Sequence, residues 1–254
     1  MDALEIGGLA LAAFAAGSVN AVAGGGSLIT FPALLAAGYP AKTANVTSTV
    51  ALWPGYLGGS LGYRSELRGQ GRRVLLLLPA TACGGVAGAA LLLWTPGNAF
   101  ETIVPFLILL AVALMLFQDR LAAFAEAHQH RSQHVNQIPW LLQGSMFLLG
   151  IYGAYFGAAL GIMTLAAYAV LLNEDIQRSN ALKGLTSLII NAVAVVYFVA
   201  FGPVEWAAAA IMAGAALVGG YLGVGLARRL GAVWLRRAVV VLGVTVAIIM
   251  FARL

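Results

Sequence analysis

The sequence predicts an all-α polytopic membrane protein built from two inverted repeats, each a broken, half-membrane helix pair followed by three spanning helices. Three observations carry that expectation. Of the 254 residues, 61% are hydrophobic and only 9% charged, and the mean hydropathy is +0.93. This composition lies outside the range of soluble globular chains. The run NAVAGGGSLITF, Asn20 to Phe31, places three consecutive glycines inside an apolar segment of more than thirty residues. About 20 residues cross a bilayer, and each glycine costs a helix roughly 1 kcal/mol relative to alanine, so the run reads as a built-in break. The third observation is that the same order of segments occurs twice.

In chain order, the first broken pair is expected at 5–22 and 27–38. A span follows at 43–63, then the basic connection containing Arg64, Arg68, Arg72 and Arg73. Spans at 74–94 and 100–117 are separated by the short turn TPGN. Residues 119–138 are polar and carry all three histidines, His128, His130 and His134. The pattern then returns: a broken pair at 139–157 and 161–173, a span at 180–201, the turn GPVE, a span at 206–227, a second arginine cluster and a last span at 233–251. An ungapped shift of 135 positions carries Gly26 onto Gly161 and Asn45 onto Asn180. It also carries Gly84, Gly85 and Gly88 onto Gly219, Gly220 and Gly223. Residues 1–119 are therefore expected to form the first transmembrane repeat, 120–135 a cytoplasmic polar linker and 136–254 the second repeat.

Short basic loops stay on the cytoplasmic side. With both arginine clusters inside, the parity of the spans requires each broken pair to return to the side it entered from. That makes the repeats inverted, with both termini and the TPGN and GPVE turns outside. Discontinuous helices at the interface of inverted repeats are the device by which secondary transporters hold substrate near the midplane. The second arms start at Ser27 and Ile162. Helix starts offer N–H groups and a positive dipole end, so two converging starts favour an anion. All nine acids fall at or beyond predicted span ends, which leaves a cation or a buried carboxylate relay without a partner.

The stretch AGSVNAVAGGGSLITFPALLAAGYPAKTANVTSTVALWPGYLGGSLGYRSELRG resembles the N-terminal half of the TauE/SafE family, the sulfite-exporter-like membrane permeases. YGAYFGAALGIMTLAAY followed by NALKGLTSLIINAVAVVYF looks like the family's second repeat. The resemblance covers nearly the whole chain. It departs where family members often have a second Asn after the glycine run, since this chain reads Asn45-Val46-Thr47-Ser48, and where Gly157-Ala-Ala-Leu-Gly161 replaces a full glycine run. What the resemblance implies is export or uptake of small sulfur-containing or organic anions. The expected function is a secondary transporter, an exporter of sulfite or a related sulfur oxyanion or organosulfonate. The alternatives are a carrier of small organic carboxylates or a non-transporting membrane scaffold or assembly factor. The expected location is the cell (inner) membrane, with the lipid bilayer and the small anion as partners and no nucleic acid.

Polar groups in hydrocarbon are costly unless paired or facing a cavity. Asn20, Ser27, Thr30, Asn45, Thr47 and Ser48 flank the first break, and Tyr155, Thr164, Asn180, Lys183, Thr186 and Asn191 flank the second. The bland reading is that hydroxyls bond back to their own helices and amides tie helices together. The candidate substrate-binding set is Asn20, Gly24, Gly25, Gly26, Ser27, Asn45, Ser48, Gly157, Gly161, Asn180, Lys183 and Thr186. Lys183 either offsets the charge of the anion or snorkels to the headgroups. No metal, cofactor or catalytic residue is expected, because the spans contain no nucleophile paired with a base. On a polar linker the histidines read as solvated. The GGxxG patterns pack helices closely, either within one chain or across a homodimer. Trp53, Trp94, Trp206 and Trp234 are read as interfacial anchors.

Overall fold

The computed structural model describes residues 1–22, 24–128, 139–172, 176–230 and 232–252. The described residues form ten helices: α1 Ala3–Val22, α2 Ser27–Ala36, α3 Ala41–Gly62, α4 Gly71–Trp94, α5 Gly97–His128, α6 Trp140–Tyr155, α7 Leu160–Leu171, α8 Ile176–Phe201, α9 Trp206–Leu230 and α10 Ala232–Phe251. No strand occurs among them. Among the described residues five stretches are long and apolar enough to cross a membrane: Ala3–Ala21, Gly71–Trp94, Gly97–Arg120, Gln177–Phe201 and Trp206–Gly223. Leu75, Val196 and Val241, each about two-thirds exposed at 68%, 70% and 65%, point outward from the bundle. Apolar side chains displayed outward along these helices fit a lipid surface and not water.

Several boundaries differ from the sequence expectation. At 20 residues, α1 is long enough to span a bilayer by itself, so the first pair joins a full-length helix to the 10-residue α2. In the second pair α6 and α7 have 16 and 12 residues. α5 continues to His128, beyond the apolar run that ends at Phe117, because residues 118–128 are mostly good helix formers. The second arginine cluster is not a loop: Arg228 and Arg229 end α9, and Arg236 and Arg237 lie within α10. The linker histidines His130 and His134 lie outside the described residues.

Small residues decide which helices meet. A Cβ at Gly84 or Gly88 would strike the carbonyl of Phe147 or Ile151 on α6, and one at Gly219 would strike the carbonyl of Phe14 on α1. At Gly223 it would sit 2.5 Å from the Ser18 Cα. Both GGxxG faces are thus used inside the chain, α4 against α6 and α9 against α1. α9 also packs on α3, where a Cβ at Gly58 would lie 2.6 Å from the Leu217 carbonyl oxygen. Dispersion over backbone surfaces brought this close holds helices together where no hydrophobic driving force exists between them and lipid.

α3 and α8 run antiparallel through the centre. At one end Tyr63 packs with Ala181, and Gly184 lies against the Ser60 hydroxyl. At the other, the Glu205 N–H donates to Thr47 Oγ1 at 3.1 Å, and Gly202 lies beside Val46. Trp94 and Trp206 are 78% and 58% exposed at helix ends, as anchors require. Trp53 is not an anchor. It sits midway along α3 with a buried indole N–H that has no partner among the described residues.

Candidate functional site

The two breaks meet. Gly24 has φ +70°, and a Cβ there would lie 2.7 Å from the Gly161 Cα and 3.0 Å from its nitrogen. Only a residue without a side chain fits such a contact in left-handed backbone. Gly25, at φ +131°, lies against the Met115 thioether, and a Cβ at Gly26 would strike the Ala16 carbonyl. In the second break Gly157 (φ +73°) and Ala159 (φ +58°) are left-handed. The shift of 135 superposes Ala159 on Gly24, so the turn recurs at the equivalent position with a methyl group present. The Phe31 and Phe156 rings pack edge to face at 5.7 Å beside the crossing.

The first break is held by Asn20. Its Oδ1 accepts from the N–H groups of Gly25 at 3.0 Å and Gly26 at 2.7 Å, which also fixes the orientation of the amide. Two donors expected to await an anion are therefore taken by the chain itself. The other end of the amide, Nδ2, is buried with no hydrogen-bond partner among the described residues. Ser27 opens α2, half-buried. One turn on, the Thr30 and Ser48 hydroxyls share a hydrogen bond of 2.6 Å.

The second break is braced from the other half of the chain. Asn45 Nδ2 donates to the Tyr155 carbonyl at the end of α6, 2.9 Å away. Tyr152 OH donates to the Ala158 carbonyl at 2.6 Å, and Tyr155 OH donates to Thr95 Oγ1 at 3.3 Å. Lys42 Nζ completes the brace, donating at 2.7 Å to the Leu93 and Thr95 carbonyls at the end of α4. Asn45 is thus tied to backbone, the bland role allowed for it.

Asn180, Lys183 and Thr186 gather on the other side of the crossing. Lys183 is 2% exposed, and its Nζ donates to Asn180 Oδ1 at 3.2 Å. The ammonium is therefore held inside the bundle and does not snorkel. Thr186 accepts from Tyr168 OH at 3.0 Å. Because α3 and α8 are antiparallel, Ser48 and Lys183 lie toward opposite ends of that pair, roughly 20 Å apart at 1.5 Å rise per residue. The structure thus separates the predicted residues into two clusters flanking one crossing. Ala21, at the end of α1, packs on the small Tyr63 and Ala181 cluster, which sets Asn20 and Lys183 on the same side.

Thr164 has a place here that its sequence position does not reveal. It lies one turn beyond Gly161 in α7, 1% exposed, and its hydroxyl has no hydrogen-bond partner among the described residues. Among the described residues no group of three His, Cys, Asp or Glu side chains could hold a metal. A cleft of about 430 Å³ between α1, α2 and α10, lined by Ala12, Ile29, Pro32 and Ile249 among others, is apolar and includes none of the candidate binding residues in its lining.

Outward-facing apolar helices around a buried polar crossing define a multi-pass membrane protein. The chain belongs to the Sulfite exporter TauE/SafE family, a family of membrane transporters whose profile matches residues 9–250. It is similar to a "Probable membrane transporter protein" of Haemophilus influenzae, 28% identical over 229 residues, covering 90% of this chain and 88% of that one. It is also similar to the "Probable membrane transporter protein ORF9" of a Sinorhizobium species, 26% identical over 245 residues with 96% and 91% coverage. "Probable membrane transporter protein YfcA" of Escherichia coli K12 is 26% identical over 228 residues, with 89% and 81% coverage. No solved structure matches the chain.

Proposed function

We propose that this protein is a secondary transporter of small oxyanions, sulfite or an organosulfonate, that binds its substrate where the two broken helices cross near the bilayer midplane. The observation that carries the reading is the contact of Gly24 with Gly161. It brings the starts of α2 and α7 to one point, and helix starts favour negative charge. Lys183 supplies a full positive charge at depth, and the family description names sulfite export. Inverted repeats, 1–119 and 136–254 joined by 120–135, form part of the same reading. What supports them is that helix pairings survive exchange of the halves: α1 packs on α9 as α6 packs on α4, and α2 on α10 as α7 on α5. Gly220 crowds the Gly55 carbonyl, and at the positions shifted by 135 Gly85 crowds that of Ile190.

The test is flux in proteoliposomes. Purified protein should accelerate radiolabelled sulfite movement down its gradient, and unlabelled methanesulfonate should compete. Empty liposomes and liposomes with the Gly24→Leu variant supply the baselines. Sulfite movement no faster than in empty liposomes, with acetate carried instead, would transfer the reading to carboxylates. No anion flux at all would leave the scaffold alternative standing.

A further inference from the structure

We infer that Asn20 Nδ2 and the Thr164 hydroxyl are substrate ligands, forming with Lys183 one asymmetric oxyanion site on the side of the crossing nearer the Arg64–Arg73 connection. The inference rests on the anion-transport reading and names the groups that would hold the anion. Asn20 is 5% and Thr164 1% exposed, and both carry polar atoms with no partner among the described residues. Leaving a buried donor unmade is strongly unfavourable, so such groups in a native interior point to something they bind.

Geometry directs both groups to one place. The Asn20 carboxamide lies on Gly25 and Gly26, next to Gly24, which touches Gly161. Thr164 follows Gly161 by three residues and so shares its helix face. Ala21 and Ala181 pack on one small cluster, so the end of α1 lies beside the segment of α8 that carries Lys183. Asn20 Oδ1 is committed to two backbone N–H groups, so the exposed chemistry of that side chain is donor only. A donor amide, a hydroxyl and an ammonium recognise the oxygens of a small oxyanion and offer nothing to a cation.

The site has no mirror copy. The shift of 135 replaces Asn20, Thr164 and Lys183 by Tyr155, Ile29 and Ser48. Instead of an amide facing the crossing, the second break presents Tyr155, whose carbonyl and hydroxyl are already bonded.

The experiment is sulfite and methanesulfonate binding to the full-length protein in nanodiscs, with melting temperature recorded for each variant. Thr164→Val is nearly isosteric and should weaken affinity about tenfold or more, while Thr164→Ser should restore most of it. Asn20→Asp keeps the acceptor that pins Gly25 and Gly26 but turns a donor toward the anion into a negative charge. It should abolish binding with melting held near wild type. Flux in the wild type together with undiminished affinity in Thr164→Val and Asn20→Asp would mean that these groups meet solvent only, overturning the assignment while the transport reading stands. If Asn20→Asp fails to fold, the Thr164→Val and Thr164→Ser pair decides alone. A wild type that neither binds nor transports either anion overturns both.

Discussion

The two breaks solve one geometric problem with different residues. Each turns the chain through a left-handed residue at the equivalent position, φ +70° at Gly24 and φ +58° at Ala159. The first break uses three glycines and an internal pin, the Asn20 amide five and six residues upstream of its partners. The second tolerates alanine because other helices hold it: Asn45 from α3 on the Tyr155 carbonyl, Thr95 on the Tyr155 hydroxyl and Lys42 on the end of α4. A left-handed alanine costs roughly 1–2 kcal/mol. A braced loop can carry such strain because the surrounding contacts over-determine it. The first break, pinned from within, leaves the buried Nδ2 end of that amide without a partner among the described residues.

The largest expected effect comes from closing the contact between the breaks. Gly24→Ala places a methyl group 2.7 Å from the Gly161 Cα in left-handed backbone. Backbone cannot yield as a flexible side chain does, so a loss of about 3 kcal/mol or more is expected from overpacking and strain together. Melting in detergent and flux should both collapse. A Gly24→Ala protein that melts and transports like wild type would mean that the breaks do not touch.

The braces should come next. Asn45→Ala leaves the Tyr155 carbonyl without its donor and should cost about 1–3 kcal/mol in chemical or thermal unfolding. Asn180→Ala, at the equivalent position, should cost less, since Asn180 accepts a longer bond, at 3.2 Å, from the Lys183 side chain rather than bracing a backbone carbonyl. Equal losses would argue that the two asparagines do the same job.

Lys183→Gln should lower anion affinity by about tenfold, the scale of one charge-assisted hydrogen bond. Lys183→Arg should fall between that variant and wild type, because a planar fork does not replace a compact ammonium in a tight site. Titration of sulfite into each purified variant measures this. Affinities equal to wild type in both would remove Lys183 from the anion site.

The smallest effect is the sharpest check on the comparison. Ala159→Gly removes the left-handed strain of the second break and should raise stability by about 1 kcal/mol. A drop in melting temperature would indicate that the alanine methyl group contributes packing that outweighs its strain.

Much of this architecture was legible in the chain itself. Composition determined the class, since 61% hydrophobic residues cannot be hidden inside a bundle of this size. Gly24, Gly25 and Gly26 marked the first break because helix propensity is a local property, and the shift of 135 marked the second through Gly161. The linker boundary was less legible, because α5 outlasts its apolar run: helices stop for reasons of capping and packing as well as hydropathy.

What only the tertiary structure decided is which groups meet and which are already engaged. Asn45 and Asn180 are equivalent in sequence, yet one braces a backbone carbonyl and the other accepts from a lysine. Asn20 was a candidate from its position, but only the fold assigns its oxygen to Gly25 and Gly26 and leaves its nitrogen over. Thr164 looked like any hydroxyl that bonds back to its own helix, and in the bundle its oxygen has no such bond. Ser48 and Lys183 shared a repeat position but ended up far apart, because antiparallel α3 and α8 send equivalent residues to opposite sides of the crossing. Propensity and periodicity act over one helical turn, whereas hydrogen-bond satisfaction depends on neighbours more than a hundred residues away, as the bond from Asn45 to Tyr155 illustrates.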